Sequence, residues 1–242
     1  MTEKALYGEL AGYYDRVYHW KDYDEDIRRL MGIIEEAGRG EGGRLLDIGC
    51  GTGGHLVRLV DRFECTGVDV SGEMLEVARV KLPAVRLVEA DMATFRLGER
   101  FDVVISMFGT IGYALTTDEV RRVFDNIARH LVEGGVAVVE PFISRSDYKP
   151  GHVSLRTYED DDVKISRVSS GRLDGDLFLF EMHYLIGERD KGVRHLVDTH
   201  TTRLHEPEEL LDAMETAGLE ARFDPVGFGQ RRGALVGTRT QR

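Results

Sequence analysis

The chain has 242 residues, 42% of them hydrophobic, and a formal net charge of −11. That length suits one α/β domain with an elaboration, or two small domains. The acidic balance argues against a nucleic-acid partner, whose backbone is gripped by clustered Lys and Arg. No run of about 18 apolar residues is present to span a membrane. The opening "MTEKALYGELAG" is too interrupted by charge for a signal peptide. The two cysteines, Cys50 in a glycine turn and Cys65 at the start of a strand, suit reduced thiols and a cytoplasmic protein.

In chain order, "YDEDIRRLMGIIEEAG" sets Ile27, Leu30, Met31 and Ile34 at helical spacing, with Gly38 as the stop. "RLLDIG" follows as a strand, "GHLVRLVDRF" as a helix and "CTGVDV" as the second strand. "SGEMLEVARVKL" is a helix capped by Ser71, "AVRLVEA" the third strand, and "FDVVISMF" a fourth, apolar throughout as buried parallel strands are. A helix starts after Thr116, with Glu119 completing a capping box and Val120, Val123, Phe124, Ile127 and Leu131 as its stripe. "GGVAVVEPF" is the fifth strand. Strands alternating with helices predict a doubly wound, mostly parallel sheet.

From Phe142 to His205 the pattern changes to alternating hairpin-like segments, with "EDDD" (159–162) as a solvated turn rather than a metal site. "EPEELLDAMETAG" is then a helix with Pro207 in its first turn, and "LEARFD" and "RGALVGT" are closing strands. An antiparallel β-sheet is thus inserted late in an α/β domain.

"LLDIGCGTGGHL" (45–56) fits two nucleotide loops. Gly49, Gly51 and Gly54 satisfy the dinucleotide G-x-G-x-x-G, while Asp47 with Gly49, Gly51 and Gly53 fits the acidic-x-G-x-G-x-G loop for S-adenosylmethionine. Asp69, at the end of the second strand, accepts from ribose hydroxyls in either case. Asp47 separates them, because a carboxylate inside an apolar strand needs a partner and the methionyl ammonium supplies one. Asp91 closes the third strand, where an acid accepts from the adenine amine beside Met92. The ordered set favours the methyl donor over the nicotinamide cofactor.

At these residues the chain resembles the class I S-adenosylmethionine-dependent methyltransferases, whose fold is a seven-stranded sheet with its last strand antiparallel. "CGTGGHL", "DMATFRLGERFDVVISMFGTIGYALTT", "GGVAVVEPF", "FEMHYL", "GVRHLVDTHTTRLH" and "AGLEARF" are similar to the N,N-dimethyltransferases of nucleotide-linked amino sugars, of the desosamine type. Phe142 and Ile143 stand after Pro141 where those enzymes tend to carry a tryptophan-rich segment. The resemblance implies donor contacts from Tyr7, Asp47, Gly49, Cys50, Gly51, Gly53, Asp69, Val70, Met74, Asp91, Met92 and Met107. It implies catalytic positions at Tyr113, Tyr14 and Glu140, with Tyr113 orienting the amine or accepting its proton through water. Glu140 could attract an ammonium or pair with an Arg.

Tyr18, His183, Arg194 and Arg232 are substrate-pocket candidates, and Arg231 shares the role of diphosphate contact with Arg194 and Arg232. The spacing of His183, His195, His200 and His205 does not keep one strand face, so no metal is expected. The expected division is a helical lid over 1–38, a donor-binding domain over 39–141 and 206–242, and the insert over 142–205, offering an acceptor pocket and a homodimer surface. The expected activity is N-methylation of a small-molecule amine. Methylation of another amine or a hydroxyl, and a donor-binding module without catalysis, are the alternatives.

Overall fold

The computed structural model describes residues 5–228 and 232–240. Its first half reads β1 (Arg44–Ile48), α3 (Leu56–Leu59), β2 (Glu64–Asp69), α4 (Gly72–Lys81), β3 (Arg86–Glu89), β4 (Phe101–Ser106), α5 (Thr117–His130) and β5 (Leu131–Val139). Before these come two 3-10 turns, Ala5–Tyr7 and Ala11–Tyr13, then α1 (Tyr14–Val17) and α2 (Tyr23–Glu36). After them come the insert strands β6 (Val153–Glu159), β7 (Val163–Asp174), β8 (Leu177–Glu188) and β9 (Gly192–Arg203), then α6 (Pro207–Thr216), β10 (Leu219–Asp224) and β11 (Ala234–Arg239).

The seven-stranded sheet has the order β10-β11-β5-β4-β1-β2-β3, with β11 antiparallel to β5 and β10 and the other pairs parallel. Side chains alternate across a strand, so each strand feeds two cores. Leu45, Val103 and Ile105 pack on one face with α2 and α3; Leu46, Ile48 and Val104 pack on the other with α5 and α6. The chain leaves β1 toward β2 on one side and β4 toward β5 on the other. A crevice therefore opens beyond the carboxyl ends of β1 and β4, where such sheets bind ligands.

The insert is a separate antiparallel sheet, β6-β7-β8-β9. Val163, Ile165, Met182, Tyr184 and Ile186 on its inner face pack against Leu6, Leu10 and Val17 of the N-terminal segment in a third core. Glu159–Asp162 forms the turn between β6 and β7, where Asp160 Oδ1 accepts from the Asp162 and Val163 amides.

Two local expectations shift. Leu131 is the first residue of β5 rather than the last of the helical stripe, and the helix after the glycine turn shortens to Leu56–Leu59. The caps stand as read. The Ser71 hydroxyl accepts from Met74 N, and Thr116 and Glu119 form the full capping box.

Candidate active site

The turn after β1 exists because its glycines reach conformations other residues avoid. Gly49, Gly51 and Gly53 have φ of +75°, +54° and +78°. Space is short as well: a Cβ on Gly49 would stand 2.5 Å from Thr110 Cγ2, and one on Gly53 2.6 Å from Leu82 Cδ1. The amides of Gly49 and Cys50 donate to Val68 O, and that of Gly51 to Asp69 Oδ2 at 2.8 Å. Asp69 Oδ1 accepts from Ser71 N at 2.9 Å, so this carboxylate ties the glycine turn to the start of α4.

Asp47 precedes the turn, is 1% exposed, and neither of its oxygens has a hydrogen-bond partner among the described residues. Burial, reinforced by the charge of Asp69, pushes its pKa up to about 8. A buried carboxyl without a partner, two residues before a glycine cradle, fits a ligand with an ammonium group. S-adenosylmethionine carries one, so the residues present fit this donor. When bound, it supplies a methyl carbon activated by a sulfonium.

Asp47 would hold the ammonium and Asp69 the ribose hydroxyls, with buried Met74 and Met107 beside the turn. Val70 is two-thirds exposed, and Asp91 Oδ1 accepts from Ala93 N at 2.9 Å in the turn after β3, beside partly buried Met92. Burial pushes the Cys50 thiol well up, which removes it as a nucleophile; it packs against Gly67.

A cavity of about 460 Å³ opens between the turn after β4 and the inner face of the insert. One wall is aromatic. The rings of Phe178 and Phe180 stack at 5.1 Å, Phe180 stacks on His200 at 4.9 Å, and Phe142 lies 6.3 Å from Phe180. The other wall is cationic, with Lys149, Arg156 and Arg167. Arg167 is 8% exposed and has no carboxylate partner among the described residues; its Nε lacks any hydrogen-bond partner, as do Trp20 Nε1 and Thr202 Oγ1. With Arg232 Nε, four buried polar atoms of cavity-lining residues have no partner among the described residues, which fits a polar guest.

Near the donor side, Phe108 has φ of +59°, uncommon for a bulky residue. Glu140 Oε2 holds it there by accepting Phe108 N at 2.6 Å, and Oε1 accepts from Arg232 Nη1 at 3.1 Å. Two candidates for separate roles thus neutralise each other.

Tyr7, Tyr18, Tyr113 and Arg232 line the cavity. Tyr14 does not line it; its ring lies 4.6 Å from that of Tyr18, tilted by 43°, within the N-terminal cluster. His183 and Arg194 also lie elsewhere. His183 meets His195 at 3.2 Å on the outer face of the insert, and Arg194 bonds Tyr13 Oη at 3.1 Å. Arg231 is outside the described residues. The residues that sequence reasoning missed are Arg167, Phe178, Phe180 and Asp198. A signal for Arg167 was present: it continues the apolar parity of Val163 and Ile165, where a charge calls for a reason.

The N-terminal segment covers both sides. The Ser71 hydroxyl donates to Tyr7 O at 2.5 Å, Thr52 Oγ1 and Lys81 Nζ both reach Asp15 at 2.6 Å, and Leu6 N donates to Asp198 Oδ2 at 3.2 Å.

Residues 45–135 match a methyltransferase domain model. The chain is 35% identical over 230 residues to the dTDP-3-amino-3,4,6-trideoxy-alpha-D-glucopyranose N,N-dimethyltransferase of Streptomyces venezuelae, covering 94% of this chain and 96% of the relative. The crystal structure of Streptomyces venezuelae DesVI superposes with a TM-score of 0.89 at 35% identity, over 94% of this chain and 97% of that one. CalS10 from Micromonospora echinaspora, an amino pentose methyltransferase solved with S-adenosylmethionine bound, gives 0.83 at 32% identity, over 96% of each chain. With a glycine cradle, an unpartnered Asp47 and relatives matched nearly end to end, the chain belongs to the S-adenosylmethionine-dependent N-methyltransferases, in the family that includes the dTDP-amino-sugar N,N-dimethyltransferases.

Proposed function

We propose that the enzyme methylates the amine of a nucleotide-linked amino sugar. The observation that carries this is Arg167, a buried guanidinium with no carboxylate partner among the described residues, lining a cavity walled by stacked rings. A diphosphate supplies the missing charge to a forked donor, and a nucleobase supplies a flat face for the phenylalanines. The relatives named above act on dTDP-linked amino sugars, which supports the same substrate class.

In this reading residues 1–38 form the lid, residues 39–141 and 206–242 hold the donor, and the insert, 142–205, holds the acceptor. The lid and insert exclude water, Asp47 and Asp69 fix the donor, and Tyr113 orients the amine for in-line displacement. Two free, buried cysteines suit the reducing cytoplasm.

The test is incubation with methyl-labelled S-adenosylmethionine and a panel of amines that includes a thymidine-diphosphate amino sugar. Label on the sugar amine, read by mass spectrometry, is the expected result; transfer only to amines without a diphosphate overturns the reading.

The outer face of the insert is proposed as the contact with a second copy of the chain. Leu155, Val168, His183 and Val197 align in one row across all four strands, and Leu155, Val168 and Val197 are each more than 40% exposed. A row with three exposed aliphatic side chains suits the self-complementary contact of a two-fold dimer. Light scattering should give twice the chain mass, and Val168→Glu should halve it while preserving circular dichroism.

A further inference from the structure

A continuous chain of hydrogen bonds crosses the acceptor cavity and joins three segments distant in sequence. Tyr7 Oη lies 2.9 Å from Tyr113 Oη, Tyr113 Oη lies 2.8 Å from His200 Nδ1, and His200 Nε2 lies 2.5 Å from Asp198 Oδ2. His200 is 2% exposed and Asp198 fully buried. An imidazole between a carboxylate and a hydroxyl has its tautomer set for it. With the proton on Nε2 directed at Asp198, Nδ1 accepts from the Tyr113 hydroxyl, and the oxygen of Tyr113, which lines the cavity, accepts from Tyr7.

The chemistry asks for such a device. An aliphatic amine near neutral pH is mostly an ammonium, and an ammonium has no lone pair to attack with. Tyr113 cannot store the proton as a phenolate partner, because burial pushes its phenol well above the usual range. It can only pass one on.

Resting on the proposed amine acceptor, we propose that His200, positioned by Asp198, receives through Tyr113 the proton that the acceptor ammonium loses before methyl transfer. The ammonium N–H bond breaks and leaves its electron pair on nitrogen as an O–H bond forms at Tyr113. The former Tyr113 O–H bond breaks as an N–H bond forms at His200 Nδ1. The result is an imidazolium paired with the Asp198 carboxylate, which gives its proton to solvent when the N-terminal segment opens. Tyr113 touches the acceptor and is catalytic; His200 and Asp198 act through it. Among the described residues, the titratable groups facing His200 are Tyr7 from the N-terminal segment, Tyr113 from the turn after β4 and Asp198 on its own strand. Arg156 on β6, Arg167 on β7, Arg232, Lys149, His152 and Asp147 line the same cavity.

The test compares kcat/KM for the amine acceptor against pH in wild type, His200→Gln and Tyr113→Phe, with folding checked by circular dichroism and donor affinity by calorimetry. Loss of a proton acceptor of this kind costs about 100-fold at neutral pH. Each variant then works only on amine already neutral in solution, so its rate climbs about tenfold per pH unit and meets the wild type at alkaline pH. Asp198→Asn, which removes the hold on the tautomer, should follow the same curve. A loss that is the same at every pH marks a structural role and overturns the proposal, as does no loss at all. The wild-type arm judges the functional reading by itself: transfer to an amine without a nucleotide leaves the relay under test on that amine, and failure on every amine overturns both.

Discussion

Asp47 is a buried carboxyl with no hydrogen-bond partner among the described residues, so a donor ammonium held there would be felt in one side chain. Its folded pKa of about 8 stands above the ordinary 3.8, so the ligand-free fold keeps a proton that the unfolded chain releases. Its contribution to stability therefore falls as pH rises through that window. An ammonium ligand reverses the balance by favouring the carboxylate, so donor affinity should climb from pH 6 to pH 8 with proton release. Calorimetry in buffers of different ionisation enthalpy measures both. Asp47→Asn should flatten the pH dependence and weaken binding by about tenfold to 100-fold, as expected when a charge-assisted bond is lost. On the acceptor side, Arg167→Met should raise KM for a diphosphate-linked amine by a similar factor with kcat little changed. An amine without phosphate should show no shift, and melting should hold steady, because the removed charge had no carboxylate partner among the described residues. Asp47 was readable because a carboxylate sits inside an apolar strand two positions before a glycine turn. Glu140 was half readable: an acid at a strand end was evident, while its double engagement joins partners 32 and 92 positions away, Phe108 N and Arg232.

At the level of elements, local chemistry was the best guide. α5 begins where a Thr and a Glu three positions on can satisfy each other's backbone amides, and both bonds are present. Thr116→Ala should cost about 1 kcal/mol in denaturant unfolding and leave methyl transfer unchanged, since the cap is remote from the cavity. Boundaries were harder where two elements want the same residue. Leu131 suits the end of an apolar helical stripe and the start of a buried strand equally, and tertiary pairing with Phe101 gives it to β5. In the insert, alternation told which residues share a face but not which face turns inward. His183 and Tyr184 are neighbours in sequence; one meets His195 outside and the other lies in the third core.

The site as a whole depends on register and closure, which no short stretch of sequence contains. Phe180 faces His200 because β8 and β9 pair in one register, and a slip of β9 by one residue would turn His200 away from the cavity. The N-terminal segment closes on both halves through Asp15, Leu6 and Tyr7. Asp15→Ala removes two of these contacts and should speed donor dissociation several-fold in stopped-flow fluorescence, with little change in melting because the carboxylate is half exposed. The clamp at Leu6 and Tyr7 has a further consequence for time courses. One adjacent pair of residues ties the start of α4 through Ser71 to the insert sheet through Asp198. If the proposed donor and acceptor sites lie on these two sides, one opening serves both ligands, and a variant that loosens the clamp should speed release of spent donor and of methylated product by the same factor.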